Sequence, residues 1–369
     1  MKLARYLGCG LCVVLVAGLT ACGVPGIPKP PSLELPQPVS DLRAIRKGDS
    51  VYLGWTVPTR TTDFLTIRHP GITRICRSTS PAMTQCTAPV GEVAAPLFPA
   101  AGAKQINSSK ALPKVQATYR DPLPQSLLSA DPSAQVFYAV SGLNQNGRSA
   151  GLSNIVSVPA IAAPAPPSDF EAQLTADGMV LSWTGSPHAG TPHLRHLYRV
   201  YRRDAATGTD AVVAEMPFGT LRTYLVLDHT FQWERTYLYR ATVVNTIHLE
   251  GKPEIQFEAA DTAPVKVFAH DVFPPAVPSG LQAAFSGVGQ PPFIDLIWAP
   301  DTDADLAGYN VYRRQESGEA VKINSVLVKT PAFRDLNVAS GHTYSYSVTA
   351  SDVRGNESAR SSEESESVP

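Results

Sequence analysis

Charge is scarce in this sequence and favours neither sign: Asp, Glu, Lys and Arg make up 17% of the 369 residues, with 31 basic against 32 acidic side chains. A nucleic-acid binder needs a basic stripe and a disordered polyelectrolyte needs a large net charge, so both classes are excluded. Long apolar runs are missing as well, except for Leu11 to Ala21, which is too short to span a bilayer at ~20 residues per helix. No Gly-x-Ser-x-Gly elbow, phosphate loop, dinucleotide fingerprint or His-Glu-x-x-His pair is expected, since each needs a helix or a strand-to-helix junction. The sequence therefore points to no enzyme class and to no cofactor. Cysteine is rare, with five residues, and each position is informative.

Proline is abundant, at 33 of 369 residues, or about 9% against a usual ~5%. With no collagen-like glycine period, this composition disfavours long helical bundles and suits loop-rich β modules on stiff linkers. At the N-terminus, Lys2 and Arg5 precede the short apolar run, as in an export signal. The run closes on Leu19-Thr20-Ala21-Cys22-Gly23 and resembles a bacterial lipoprotein signal. The resemblance implies that residues 1–21 are removed and that Cys22 becomes a lipidated N-terminus, with the bilayer as a partner. Several acyl chains at ~0.8 kcal/mol per buried methylene hold a protein on a membrane durably. Gly23 stands where the resemblance associates aspartate with inner-membrane retention, so outer-membrane delivery is expected. Cys9 and Cys12 leave with the signal. Cys76 and Cys86 remain, and two thiols in an oxidising compartment are expected to form a disulfide.

The rest of the chain repeats itself. Proline-led segments open at Pro38, Pro167 and Pro278, and each is followed by a run of alternating apolar residues that ends in tryptophan. These runs are Val51, Leu53, Trp55; Met179, Leu181, Trp183; and Ile294, Leu296, Trp298. A spacing of two puts each set on one face of a strand, and that face must be buried. A next strand reads Tyr198-Arg199-Val200-Tyr201-Arg202-Arg203 and Tyr309-Asn310-Val311-Tyr312-Arg313-Arg314, with Arg74-Ile75-Cys76-Arg77 as a weaker counterpart. A later strand ends in acid at Asp121, Asp228 and Asp335. Another alternates as Tyr344, Tyr346, Val348, as Tyr237, Tyr239, Ala241, and more loosely as Val136, Tyr138, Val140.

Short alternating strands with turn residues between them predict antiparallel β-sandwiches, an all-β fold. The tryptophan on the second strand, Tyr-x-Val-Tyr on the third and Tyr-x-Tyr-x-Val-x-Ala on the sixth resemble the fibronectin type III family, an immunoglobulin-like fold, from Pro38 to Pro369. The resemblance implies three modules over residues 38–158, 165–268 and 274–369, preceded by a proline-rich tether over 22–37. It makes Trp55, Trp183 and Trp298 core residues, and Tyr237 and Tyr344 corner tyrosines bonded back to the backbone. Val136 cannot make that bond, so the first copy is expected to be divergent. It also carries an insertion, roughly 96–115, with no clear period.

Three constellations suggest ligands. His188, His193 and His196 share a loop of the second module, where a metal or simply water would suit them. Asp301, Asp303 and Asp305 begin like a calcium loop, but Leu306 replaces the turn glycine and Tyr312 the closing glutamate, so an EF-hand is excluded. Phe231, Trp233, Tyr201 and Tyr312 are the aromatics left outside the expected core, and an exposed ring platform stacks on sugars or anchors a protein. The same Phe231 and Trp233 also suit a plug at the end of a sandwich. The reading that follows is a non-enzymatic, membrane-anchored envelope lipoprotein acting as a binding arm or spacer. Its expected partner is an envelope protein or surface polysaccharide. The alternative is a glycan-binding accessory subunit of a carbohydrate-active or envelope-building enzyme.

Overall fold

The structure, a computed structural model, describes residues 33–67, 70–95, 114–185 and 192–369. The signal segment, Cys22, His188 and nearly all of the insertion expected at 96–115 lie outside the described residues. The chain divides into two compact units, Met1–Ala162 and Ala163–Pro369.

The first unit holds one sandwich. Its strands are β1 (Arg43–Lys47), β2 (Ser50–Thr56), β3 (Thr73–Ser78), β4 (Pro89–Val93), β5 (Gln116–Pro122), β6 (Gln135–Gly142) and β7 (Val156–Pro159). They pair antiparallel as β1-β2-β5 and β4-β3-β6-β7. The segment Leu33–Gln37, expected as the end of the tether, lies against the sandwich: Pro36 bridges Thr61, and Gln37 N–H donates to the Arg60 carbonyl at 3.0 Å.

The second unit holds two sandwiches with separate apolar cores. The first of them comprises β8 (Ser168–Thr175), β9 (Gly178–Thr184), β10 (Leu194–Asp204), β11 (Asp210–Pro217), β12 (Thr223–Asp228), β13 (Thr236–Ile247), β14 (Ile255–Glu258) and β15 (Val265–Phe268). One sheet is β8-β9-β12. The other is β11-β10-β13, whose far edge carries β14 and β15 on successive stretches of β13. The last sandwich comprises β16 (Gln282–Phe285), β17 (Ile294–Ile297), β18 (Leu306–Gln315), β19 (Val321–Lys322), β20 (Ala332–Asp335), β21 (His342–Asp352) and β22 (Glu364–Val368). Its sheets are β16-β17-β20 and β19-β18-β21-β22.

All three copies thus build a three-stranded sheet facing a larger one, of four strands in the first and last copies and of five in the middle copy, where β14 and β15 share the edge of β13, a fibronectin type III-like arrangement. The tryptophan-bearing strands behave as their period demands. Trp55, Trp183 and Trp298 are buried together with the residues two and four places before them, while the neighbours Tyr52 and Ile297 face out. Trp183 stacks on Tyr224 with ring centres 5.5 Å apart, and Tyr198 meets it edge-on at 5.6 Å.

Two polar devices recur in every copy. An aspartate that closes the three-stranded sheet accepts hydrogen bonds from a tyrosine and an arginine of the larger sheet. In the first copy Tyr138 Oη and Arg77 Nη1 donate to Asp121 at 2.6 and 2.8 Å. Tyr239 and Arg202 reach Asp228 at 3.0 and 2.7 Å, and Tyr346 and Arg313 reach Asp335 at 2.9 and 2.8 Å. In each case the tyrosine and arginine are cross-strand partners. A buried carboxylate so supplied with donors ties one sheet to the other.

The second device is a hydroxyl in the connection that leads into the last strand. The N–H groups of Val140, Ala241 and Val348 donate to the side chains of Ser153, Thr262 and Ser361, whose own N–H groups bond back to the carbonyls of the same three residues. The hydroxyl substitutes for a ladder carbonyl where the edge strand bends away. Corner tyrosines occur in two copies: Tyr237 Oη accepts from Gln232 N–H at 3.1 Å and Tyr344 Oη from Ala339 N–H at 3.0 Å. Val136 fills the equivalent place in the first copy, buried without a polar tip.

Candidate functional site

A cluster of charged and aromatic groups within the second unit lies where its two sandwiches meet. Trp233 stands on the loop between β12 and β13, half-buried, with Phe231 edge-on at 5.0 Å and the linker residue Phe273 at 6.2 Å. Phe231 in turn packs beside Tyr237 at 6.4 Å. From the last sandwich, the Arg354 guanidinium lies over the Trp233 ring, 5.7 Å from its centre, within cation–π range. The expected aromatic pair therefore packs into the joint between two sandwiches.

Arg354 also enters a group of three carboxylates. Its Nη1 is 3.1 Å from Asp271 and 3.5 Å from Asp305, and its side chain is 29% exposed. Asp271 belongs to the linker, Asp305 starts the entry to β18 and Asp352 ends β21. Oxygens of these three lie within 4.8 Å of one another, and Asp271 and Asp352 are buried. The turn after β21 holds Asp352 in place: its Oδ1 accepts from the N–H groups of Arg354 and Asn356, and its Oδ2 from Asn356 Nδ2, all at 2.8 Å. Burial alone would raise the Asp352 carboxyl, but these bonds outweigh it and hold the group below the ordinary aspartate range. Asn356 Nδ2 reaches across to the Asp271 carbonyl at 3.2 Å, and Asp303 accepts from the Ala276 N–H at 2.8 Å. On the other side of the linker, a hydrogen bond from His270 holds the Glu234 carboxyl below its usual value.

Three carboxylates at this spacing have the chemistry of a hard-cation site, which takes oxygen donors. Here Arg354 supplies the positive charge, so the group acts as an ion-pair lock, and a metal ion would have to displace the guanidinium. Asp305 belongs to the group. Asp301 and Asp303 do not: Asp301 Oδ1 accepts from the Asp303 N–H at 3.0 Å, and Asp303 serves the linker. His193 and His196 do not join it either. His196 Nδ1 is 2.7 Å from Asn245 Oδ1, with its ring 5.3 Å from Phe218.

Tyr201 and Tyr312 lie on the outer faces of their larger sheets, half-buried, and each has a guanidinium over its ring. Arg240 covers Tyr201 at 4.5 Å, and Arg360 covers Tyr312 at 4.2 Å. Their hydroxyls donate to Glu258 and Glu357. In the first unit, Cys76 and Cys86 form a disulfide with Cα atoms 5.3 Å apart. It lies at the β3–β4 hairpin, beside a cavity of about 470 Å³ that Ser78, Thr84, Gln85 and Leu127 help to line. Arg77, the cavity's guanidinium, is engaged by Asp121.

Sequence reasoning missed Asp271, Asp352, Arg354 and Asn356. The signal was present in the run Asp352-Val353-Arg354-Gly355-Asn356, a turn in which alternate residues are polar and Gly355 takes a φ of 90°. The expected absence of a Gly-x-Ser-x-Gly elbow needs correction by letter, though not by geometry. Gly147-Arg148-Ser149-Ala150-Gly151 matches the Gly-x-Ser-x-Gly nucleophile motif by letter. It lies in the connection from β6 to β7 with no helix after it, and Ser149 Oγ bonds Ser141 Oγ at 2.7 Å. The strained strand-to-helix turn that exposes such a serine is missing there.

No family model matches the chain. An amylopullulanase of Thermoanaerobacterium saccharolyticum is 42% identical over 89 residues, which is 24% of this chain and 6% of that protein's length. Among solved structures, the FN1-FN3 domains of chicken CNTN1 cover 90% of this chain and all of theirs, at 14% identity and a TM-score of 0.26. An Fn3-like protein from Clostridium thermocellum covers 26% of this chain and 94% of its own, at 29% identity and a TM-score of 0.22.

Proposed function

We propose that the protein is a non-enzymatic lipoprotein of the bacterial envelope, anchored through Cys22 and most at home on the outer membrane, whose sandwiches serve as a spacer and binding arm. The observation that carries this reading is the joint of the second unit. Trp233, Phe273, Arg354 and Asp271 tie two sandwiches together through a short linker, as a stiff arm requires and a flexible tether does not. The reactive side chains reinforce it. Asp121, Asp228 and Asp335 are engaged in sheet-to-sheet bonds, and the acids of the joint are engaged by Arg354 and Asn356. The partner at the free end is an envelope protein or a surface polysaccharide.

Fractionation tests the anchoring half: the wild-type chain is expected in the membrane pellet and Cys22→Ser in the soluble fraction, and a membrane-bound Cys22→Ser would refute it. The amylopullulanase match supports a second reading, a glycan-binding accessory role. The guanidinium over each ring argues against Tyr201 and Tyr312 as its platform, since a sugar stacks on an open aromatic face. Retention of the soluble chain on insoluble starch would favour that second reading.

A further inference from the structure

We propose that the tip of the first sandwich carrying Phe64 and Leu65 is a membrane-contact site, which seats its apolar side chains in the interfacial layer of the bilayer that holds Cys22. The proposal rests on the anchoring reading above and extends it to folded residues.

The tip is a tight turn between β2 and β3. Arg60 bridges Thr66, Thr61 N–H donates to the Leu65 carbonyl at 2.8 Å, and Phe64 N–H donates to the Thr61 carbonyl at 2.9 Å. The Thr61 side chain, fully buried, takes the Leu65 N–H at 3.1 Å and fixes the turn from below. Phe64 has a φ of 61°, a left-handed conformation that favours glycine and costs any residue with a Cβ. The ring recovers little of that cost by burial. Phe64 is 72% exposed and Leu65 55%, and Leu33 beside them is 58% exposed. A large and mostly exposed aromatic thus stands where the backbone favours glycine.

The course of the chain says what covers this tip. The segment that descends from Cys22 reaches the sandwich here. Pro36 bridges Thr61, Thr62 N–H donates to the Leu35 carbonyl at 2.9 Å, and the Leu33 carbonyl accepts from Asn144 Nδ2 at 2.8 Å. Between the anchor and Leu33 the sequence leaves only residues 23–32. At about 3.6 Å per residue that segment reaches at most ~40 Å, so the anchor keeps this end of the sandwich within ~40 Å of the bilayer. Arg60 on the turn and Arg148 on the neighbouring loop are exposed, suited to phosphate oxygens of lipid headgroups. Asp63 and Glu34 sit among them and balance the charge, so the contact depends on apolar insertion more than on attraction to anionic lipid.

The test uses the full lipidated chain in vesicles of phosphatidylethanolamine with a minor share of phosphatidylglycerol, their acyl chains brominated to quench nearby indoles. Flotation first establishes that the protein rides with the vesicles. In Phe64→Trp, the emission added over wild type is expected to be blue-shifted and lost to the brominated lipid. In Ile45→Trp, at a 66% exposed position of β1 in the same sandwich, it is expected to persist. Leu65→Trp serves as a second reporter if Phe64→Trp loses its cooperative melting. Floating protein whose added emission at both tip positions survives brominated lipid overturns the proposal and leaves the anchoring intact. Protein that does not float refutes the anchoring, and the proposal with it.

Discussion

The three tyrosines that bond to buried aspartates, Tyr138, Tyr239 and Tyr346, set the behaviour of the molecule in base. Burial, reinforced by the adjacent carboxylate, pushes each hydroxyl well above the ordinary tyrosine value. A raised pKa in the folded state means that the neutral form stabilises the fold, so the contribution is whole below pH ~10 and is lost as pH rises beyond it. Spectrophotometric titration is expected to show these three phenols ionising only together with alkaline unfolding. On the acid side, burial alone would raise the Asp228 carboxyl, but Thr230, Arg202 and Tyr239 hold it below the usual range. Its contribution is present above pH ~4 and lost as pH falls below that. Replacement Asp228→Ala strands Tyr239 and Arg202 and is expected to cost about 3 kcal/mol in denaturant melts. For comparison, Trp183→Ala removes a ring stacked on Tyr224 and is expected to cost about 3–5 kcal/mol.

At the scale of single elements, the bent edge strand depends on one hydroxyl per copy. Ser361→Ala leaves the buried Val348 N–H without its acceptor and is expected to lower stability by about 1–2 kcal/mol, while Ser361→Thr keeps the bond. Reduction of Cys76–Cys86 releases a closed hairpin loop and is expected to cost the first unit about 2–3 kcal/mol, read as a fall in its melting temperature under reductant. The strands themselves were legible in the sequence because a period of two in Val51, Leu53 and Trp55, or in Tyr344, Tyr346 and Val348, is a local property of the chain. The aspartates at 121, 228 and 335 were visible as a repeated acid. Their partners were not, because pairing Asp121 with Arg77 joins residues 44 apart on different sheets. The aromatic residues outside the core misled for a related reason. Strand alternation sends Tyr201 and Tyr312 outward, but only the folded sheet brings Arg240 and Arg360 over them.

For the whole molecule, the joint of the second unit was the least legible feature, since Asp271, Asp305 and Asp352 come from a linker and two strand ends. The Arg354-Gly355-Asn356 turn looks unremarkable until the fold sets it against Trp233. Arg354→Ala leaves Asp271 buried without its cation and uncovers the indole. Iodide quenching of Trp233 and amide exchange through Asp271–Ala276 are both expected to rise, while the melting of the first unit stays unchanged. Length, anchor and joint combine into one account, an arm held to a membrane at its first residue. Mass spectrometry of the mature chain purified from membranes tests that account most directly. It predicts a polypeptide that begins at Cys22 and carries diacylglycerol and a further acyl group. An unlipidated chain that begins elsewhere and is recovered from the soluble fraction would contradict it.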